Sequence, residues 1–267
     1  MAVAQLILIE GMIGSGKTTT AKRVGDWLAG QGENARVCYE GAADHPIRTK
    51  AEDRLRAAAG LQSPGPPGGA ADGMAEDSPG VYADDQWRRL AERCLRDQQT
   101  IILEGSFLQN SVMPAFIDGA PARTVDEIFA RIQRQAAPAE PLLVYLRPAD
   151  IGAAIARVHR TRGEPWSSRN LAFVENSPWA RRRNLQGQDA VVKLYEAWEP
   201  VVTELYSRYL FPKIMVTDPQ HDWQATLARI CAAVRPPQRG GEKTPDAAPP
   251  GPVASRQAEH DRRCAGA

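Results

Sequence analysis

The chain has 267 residues and carries 33 Lys and Arg against 32 Asp and Glu, a net charge of +1; this balance argues against nucleic acid or an anionic membrane as a partner. Hydrophobic residues make up 43%, enough for a sizeable core, and no apolar run approaches the roughly 20 residues of a membrane span. Four scattered cysteines (Cys38, Cys94, Cys231, Cys264), with no C-x-x-C or Cys/His spacing and no basic-then-apolar leader at the N-terminus, point to a reducing, cytoplasmic setting rather than to disulfides or a zinc site.

The first element, Leu6-Ile7-Leu8-Ile9, is an apolar run of strand length. It leads into Gly11-Met12-Ile13-Gly14-Ser15-Gly16-Lys17-Thr18, which fits G-x-x-x-x-G-K-[ST] at every fixed position. Ala21, Val24 and Leu28 follow at helical spacing, and Gly30 and Gly32 stop that helix. A strand before the motif and a helix after it are the context in which such a loop binds phosphate. Residues Gly11 to Thr19 are thus expected to cradle a triphosphate through backbone N–H groups, with Lys17 on the β- and γ-phosphates and Thr18 on Mg²⁺.

Further along, strand-like runs at 35–40, 100–104, 141–146 and 213–217 alternate with helical stretches. Alternation of this kind predicts an α/β fold, a parallel sheet of five strands with helices on both faces. In such sheets ligands lie beyond the carboxyl ends of the strands, so the residues after each run carry the interest. Glu40 follows the second run, which is expected to neighbour the first. It is the favoured general base for a hydroxyl, with Asp44 and His45 as rivals. A short charged helix is expected at 47–59, a Gly- and Pro-rich loop at 61–79, and a helix at 81–97 with Trp87, Leu90, Cys94 and Leu95 on one stripe.

The third run ends in Glu104-Gly105-Ser106, and Glu104 is placed to hold Mg²⁺ beside Thr18. Helices are expected at 108–117 and 124–137. The fourth run leads to Arg147 and then to an Arg-rich helix and loop at 150–170, in which Arg157, Arg160 and Arg162 form a lid over the transferring phosphoryl group. Arg181-Arg182-Arg183 reads as a solvated face. A long helix at 188–209 and a closing helix at 223–234 complete a domain of residues 1–236, and the Pro-, Gly- and charge-rich residues 237–267 read as a disordered tail. Arg far outnumbers Lys, which with the rich Ala, Gly and Pro usage suggests a high-GC bacterial genome.

A GTPase would need an N-K-x-D segment after a later strand, and the chain has none. Motor ATPases are larger and end a strand in adjacent acidic residues, whereas the third run here ends in one. LIEGMIGSGKTT, the strand-end Glu40, LEGS at 103–106 and VYLRPADIGAAIARVHRTRGE at 144–164 together resemble the deoxynucleoside kinase and thymidylate kinase group of P-loop kinases. The resemblance implies a three-layer P-loop kinase fold, Mg·ATP as donor and often a homodimer. It also implies Glu40 as base, Glu104 as the magnesium-associated acid, and Arg157, Arg160 and Arg162 as lid arginines. Where those kinases carry an arginine after the acidic residue, this chain has Gly105. The expectation is an ATP-dependent kinase acting on a hydroxyl of a nucleoside-like compound, a sugar or an antibiotic-like natural product. A nucleoside monophosphate kinase and a nucleotide-dependent switch or adaptor are the alternatives.

Overall fold

A computed structural model describes residues 3–48 and 85–235. Residues 49–59 of the expected 47–59 helix, the loop at 61–79, the start of the 81–97 helix and the tail at 237–267 lie outside the described residues. Five strands form one parallel sheet: β1 (Leu6–Gly11), β2 (Ala35–Cys38), β3 (Thr100–Glu104), β4 (Leu142–Arg147) and β5 (Lys213–Thr217). Their order is β2-β3-β1-β4-β5. The second strand therefore sits at the sheet edge against β3, not against β1 as the sequence pattern suggested. Glu40 is nevertheless linked to the phosphate loop, through Gln109, which hydrogen-bonds both Glu40 and Lys17.

Side chains on successive strand residues point to opposite faces, so a strand buried on both faces reads as one unbroken apolar run. On one face Leu6, Leu8, Ile101, Leu103 and Leu143 pack with Trp87, Phe107 and Phe129. On the other, Ile7, Ile9, Ile102, Val144 and Leu146 pack with Val24, Leu28, Ile230 and Val234. The helices that cover the second face are α1 (Lys17–Gly30) and α9 (Trp223–Val234). The first face is covered by α2 (Gln86–Asp97), α4 (Ala122–Ala136) and α8 (Gly187–Ser207). The molecule is thus a three-layer α/β fold, as expected. Trp87, Leu90 and Cys94 are buried along α2, but Leu95 is 40% exposed and does not belong to their stripe.

Two helical regions differ from the sequence pattern. Residues Leu108–Val112 form a π-helical turn before the short helix α3 (Met113–Asp118), so the expected helix at 108–117 begins with a wider coil. Downstream of β4 there is no helix-then-loop. Helix α5 (Ile151–Arg162) breaks only at Gly163, and α6 (Glu164–Glu175) and α7 (Pro178–Arg181) follow. Gly163 takes a positive φ of 75°, and Pro165 sits in the first turn of α6, where its missing N–H costs nothing. Asp150 caps α5 and Ser177 caps α7, each accepting a hydrogen bond from the backbone N–H three residues on. Arg162 is therefore the last residue of a helix and not the start of a flexible segment.

Candidate functional site

The loop between β1 and α1 wraps tightly against its neighbours. At Gly11, with φ of 146°, a Cβ would stand 2.4 Å from the Leu146 carbonyl oxygen and 2.6 Å from Ser15 Oγ, so only glycine fits there. The loop is pinned from outside as well. Gln220 Nε2 donates to the Gly14 carbonyl at 2.7 Å, and the Arg157 guanidinium reaches the same oxygen at 3.4 Å. Ser15 Oγ is buried inside the loop with no hydrogen-bond partner. A glycine cradle, an N-terminal helix turn and an unpartnered hydroxyl form the donor set that an anionic phosphate chain would satisfy.

Lys17 opens α1 and is nearly buried, with its Nζ donating to the Met12 carbonyl at 3.1 Å and to Gln109 Oε1 at 2.8 Å. Thr18 Oγ1 donates to Glu104 Oε1 at 2.6 Å. This contact brings the two residues expected at a magnesium ion side by side. Two oxygens suit a hard cation that brings its remaining ligands as water and phosphate oxygens.

Glu40 lies two residues past the end of β2. Its carboxylate receives Gln109 Nε2 at 3.0 and 3.1 Å, and the Asn110 side chain hydrogen-bonds it too. Burial, with the nearby Glu104 adding to it, raises its pKa above the ordinary carboxylate value, while Lys17, Asn110 and Gln109 pull it back. A raised pKa makes Glu40 a stronger base toward a hydroxyl than a solvated glutamate. Above it stands Tyr195 of α8, whose hydroxyl is held well above the usual phenol range by burial and by the Glu40 charge.

The two rival bases lie elsewhere. Asp44 is exposed and ion-paired with Arg36 at 2.5 Å. His45 is buried in the turn it closes, with Nδ1 against the Ile47 backbone and Nε2 2.9 Å from Ser106 Oγ. Burial lowers its pKa, which keeps the ring neutral. Of the three expected lid arginines, Arg157 hydrogen-bonds the phosphate loop. Arg160 is exposed on α5, and Arg162 lies over the Trp166 ring at 5.1 Å, turned to α6. Arg147 pairs with Glu199 at 2.7 Å and so braces β4 against α8. Of the exposed triplet, Arg183 covers Trp179 and Arg181 reaches Asn176.

Two residues of the site were not singled out from the sequence. Glu10, in the middle of LIEGM, is completely buried on β1 and accepts the backbone N–H of Phe107 at 2.7 Å and of Gln109 at 3.2 Å. Burial pushes its pKa to about 7. A carboxylate inside an apolar strand was the signal for it. Gln109 bridges Lys17 and Glu40, and its position depends on the π-helical turn, for which the sequence carries no signal.

Gly105, next to Glu104, has a positive φ of 66°. A Cβ there would stand 3.3 Å from both Glu40 Oε2 and Lys17 Cε. A side chain there would therefore press on both residues unless they moved by a few tenths of an ångström, and Gln109 Nε2 lies 3.8 Å away.

No family model and no curated protein matches the chain. Among solved structures, the crystal structure of APE1195 is similar at 15% identity and a TM-score of 0.40, the match covering 88% of this chain and 96% of that one. A likeness of that degree carries no argument about function.

Proposed function

We propose that the protein is an ATP-dependent kinase that transfers a γ-phosphoryl group to a hydroxyl of a small molecule. One observation carries the reading: Lys17 and Glu40, bridged by Gln109 at 2.8–3.1 Å, stand beside the Thr18–Glu104 pair, bonded at 2.6 Å, at the carboxyl end of the sheet. The resemblance to the deoxynucleoside and thymidylate kinases points the same way. Bound Mg·ATP supplies the transferable phosphoryl group and a cation that offsets phosphate charge.

In this reading residues Gly11 to Thr19 hold the phosphate chain with their N–H groups. Thr18 and Glu104 hold the Mg²⁺, directly or through water. Lys17 trades its contacts with Met12 and Gln109 for phosphate oxygens. Glu40 accepts the proton of the acceptor hydroxyl, a role for which its raised pKa equips it. Arg157 is the arginine best placed to meet charge at the phosphate loop, and Arg160 and Arg162 would join it only after α5 and α6 shift inward. The acceptor is a nucleoside-like compound, a sugar or an antibiotic-like natural product. The balanced charge and scattered cysteines support a cytoplasmic setting, and the resemblance supports a homodimer. Among the described residues no helix is long and apolar enough to cross a membrane.

The test is ADP release with ATP and Mg²⁺ against panels of nucleosides, sugars and antibiotics. Acceptor-dependent turnover that falls about 100-fold or more in Glu40→Gln, with ATP affinity nearly intact, is the expected result. Turnover that is indifferent to Glu40→Gln removes Glu40 as base and favours a phosphate acceptor, as in a nucleoside monophosphate kinase.

A further inference from the structure

The structure assigns Gln109 a positioning role: its amide stands between the Glu40 carboxylate and the Lys17 ammonium, holds them apart and fixes the direction of each. This inference rests on the kinase reading above. A side-chain amide is a neutral group with an acceptor at one end and two donors at the other. Gln109 uses both ends, accepting from Lys17 Nζ at 2.8 Å and donating to both Glu40 oxygens at 3.0 and 3.1 Å. Without a spacer, a buried cation and a half-buried carboxylate in such proximity would gain by closing into a direct ion pair. Each would then have to be pulled from the other before meeting phosphate or hydroxyl. The amide satisfies both charges without adding one. A glutamate there would put a further carboxylate against Glu40, and a lysine or arginine would add a cation against Lys17.

The amide is itself held in place. Glu10 accepts the backbone N–H of Gln109 and of Phe107, fixing the entry to the π-helical turn from the strand beneath it. Ser111 Oγ donates to the Ser106 carbonyl at 2.6 Å and ties the turn to the residue after Gly105. Phe107 is buried against Trp87 and Phe129, which anchors the turn in the core. Gly105 adds no side chain beside the amide, where a Cβ would stand 3.3 Å from Glu40 Oε2 and from Lys17 Cε. The charged and titratable groups that face Glu40 are Lys17 from α1, Glu104 from β3, Glu10 from β1 and Tyr195 from α8. Gln109 and Asn110 supply its neutral hydrogen-bond donors from the π-helical turn.

Two variants of the full chain test the assignment. Gln109→Leu keeps the bulk and removes both polar ends. Its kcat is expected to fall about 10- to 100-fold, the weight of hydrogen bonds to charged groups, while the KM for ATP stays within about threefold. Gln109→Glu keeps an acceptor for Lys17 but loses both donors to Glu40, and it is expected to lose kcat at least as strongly. It also decides the matter if Gln109→Leu fails to fold. Wild-type kcat in either variant, or a loss confined to the KM for ATP, overturns the assignment.

A second readout needs no turnover. In protein labelled with ¹⁵N-glutamine, the Gln109 side-chain amide signal, identified by its disappearance in Gln109→Leu, should shift when Glu40→Gln is introduced. An unmoved signal overturns the bridge. If no acceptor supports turnover in the wild type, the kinase reading fails, and this shift still decides whether Gln109 holds Glu40.

Discussion

Glu10 is the most informative residue to perturb, because its chemistry makes a prediction that does not depend on any ligand. Burial raises its pKa from an ordinary 4.5 to about 7; the N–H groups of Phe107 and Gln109 and the Lys17 charge offset part of that rise, and the Glu40 charge adds to it. The folded chain therefore holds this proton more tightly than the unfolded chain. The resulting stabilisation is fully present below about pH 4.5 and is lost as the pH rises through about 7. That interval, at about 1.4 kcal/mol per pH unit, corresponds to an order of 3 kcal/mol. Glu10→Gln has the size of the protonated acid and no proton to lose.

The assay is urea unfolding followed by circular dichroism at several values between pH 4.5 and 8.5. Other carboxyl groups titrate across part of this range, so the stability of the wild type minus that of E10Q is the quantity that isolates Glu10. It should fall by about 2–3 kcal/mol from the acid end to the alkaline end. A constant offset between the two profiles would mean that Glu10 is ionised throughout, and the account of its burial would be wrong.

Lys17→Ala should reduce acceptor-dependent ADP release to background while the protein still unfolds cooperatively, since the residue serves charge rather than packing; full activity would sink the role of the loop. Gly105→Ala should destabilise by about 1–2 kcal/mol, the cost of a left-handed backbone for a residue with a Cβ. A chain of this size should then melt a few degrees lower, and an unchanged melting temperature in differential scanning calorimetry would contradict the backbone described at that position.

Much of the architecture is legible in the sequence, for identifiable reasons. LILIEG, TIILE and LLVYL are short apolar runs because each strand is buried on both faces, and a doubly buried strand has few other ways to be written. Val191, Leu194, Trp198, Val202 and Leu205 recur at helical spacing because α8 lays one face on the sheet. The phosphate loop is legible because its backbone tolerates so few residues. Strand order is not legible in the same way. The edge position of β2 is set by how segments cross between layers, and no residue in ARVC marks it. The site divides along the same line. Glu40 and Glu104 stand at strand ends and could be found by position. The ion pair that Asp44 makes with Arg36 is visible only in the structure. Gln109 acquires its meaning from the shape of one turn.

That turn makes the site sensitive to the length of the chain beside it. A π-helical turn carries one residue more than the α-helical turn it replaces. Deleting a residue between Leu108 and Val112 would restore the regular coil and let the chain run on into α3. It would also swing the side chains that precede the deletion by about 100° relative to the helix that follows, carrying the Gln109 amide away from Lys17 and Glu40. The reach of the amide to Lys17 and Glu40 thus hangs on one residue of chain length in the turn.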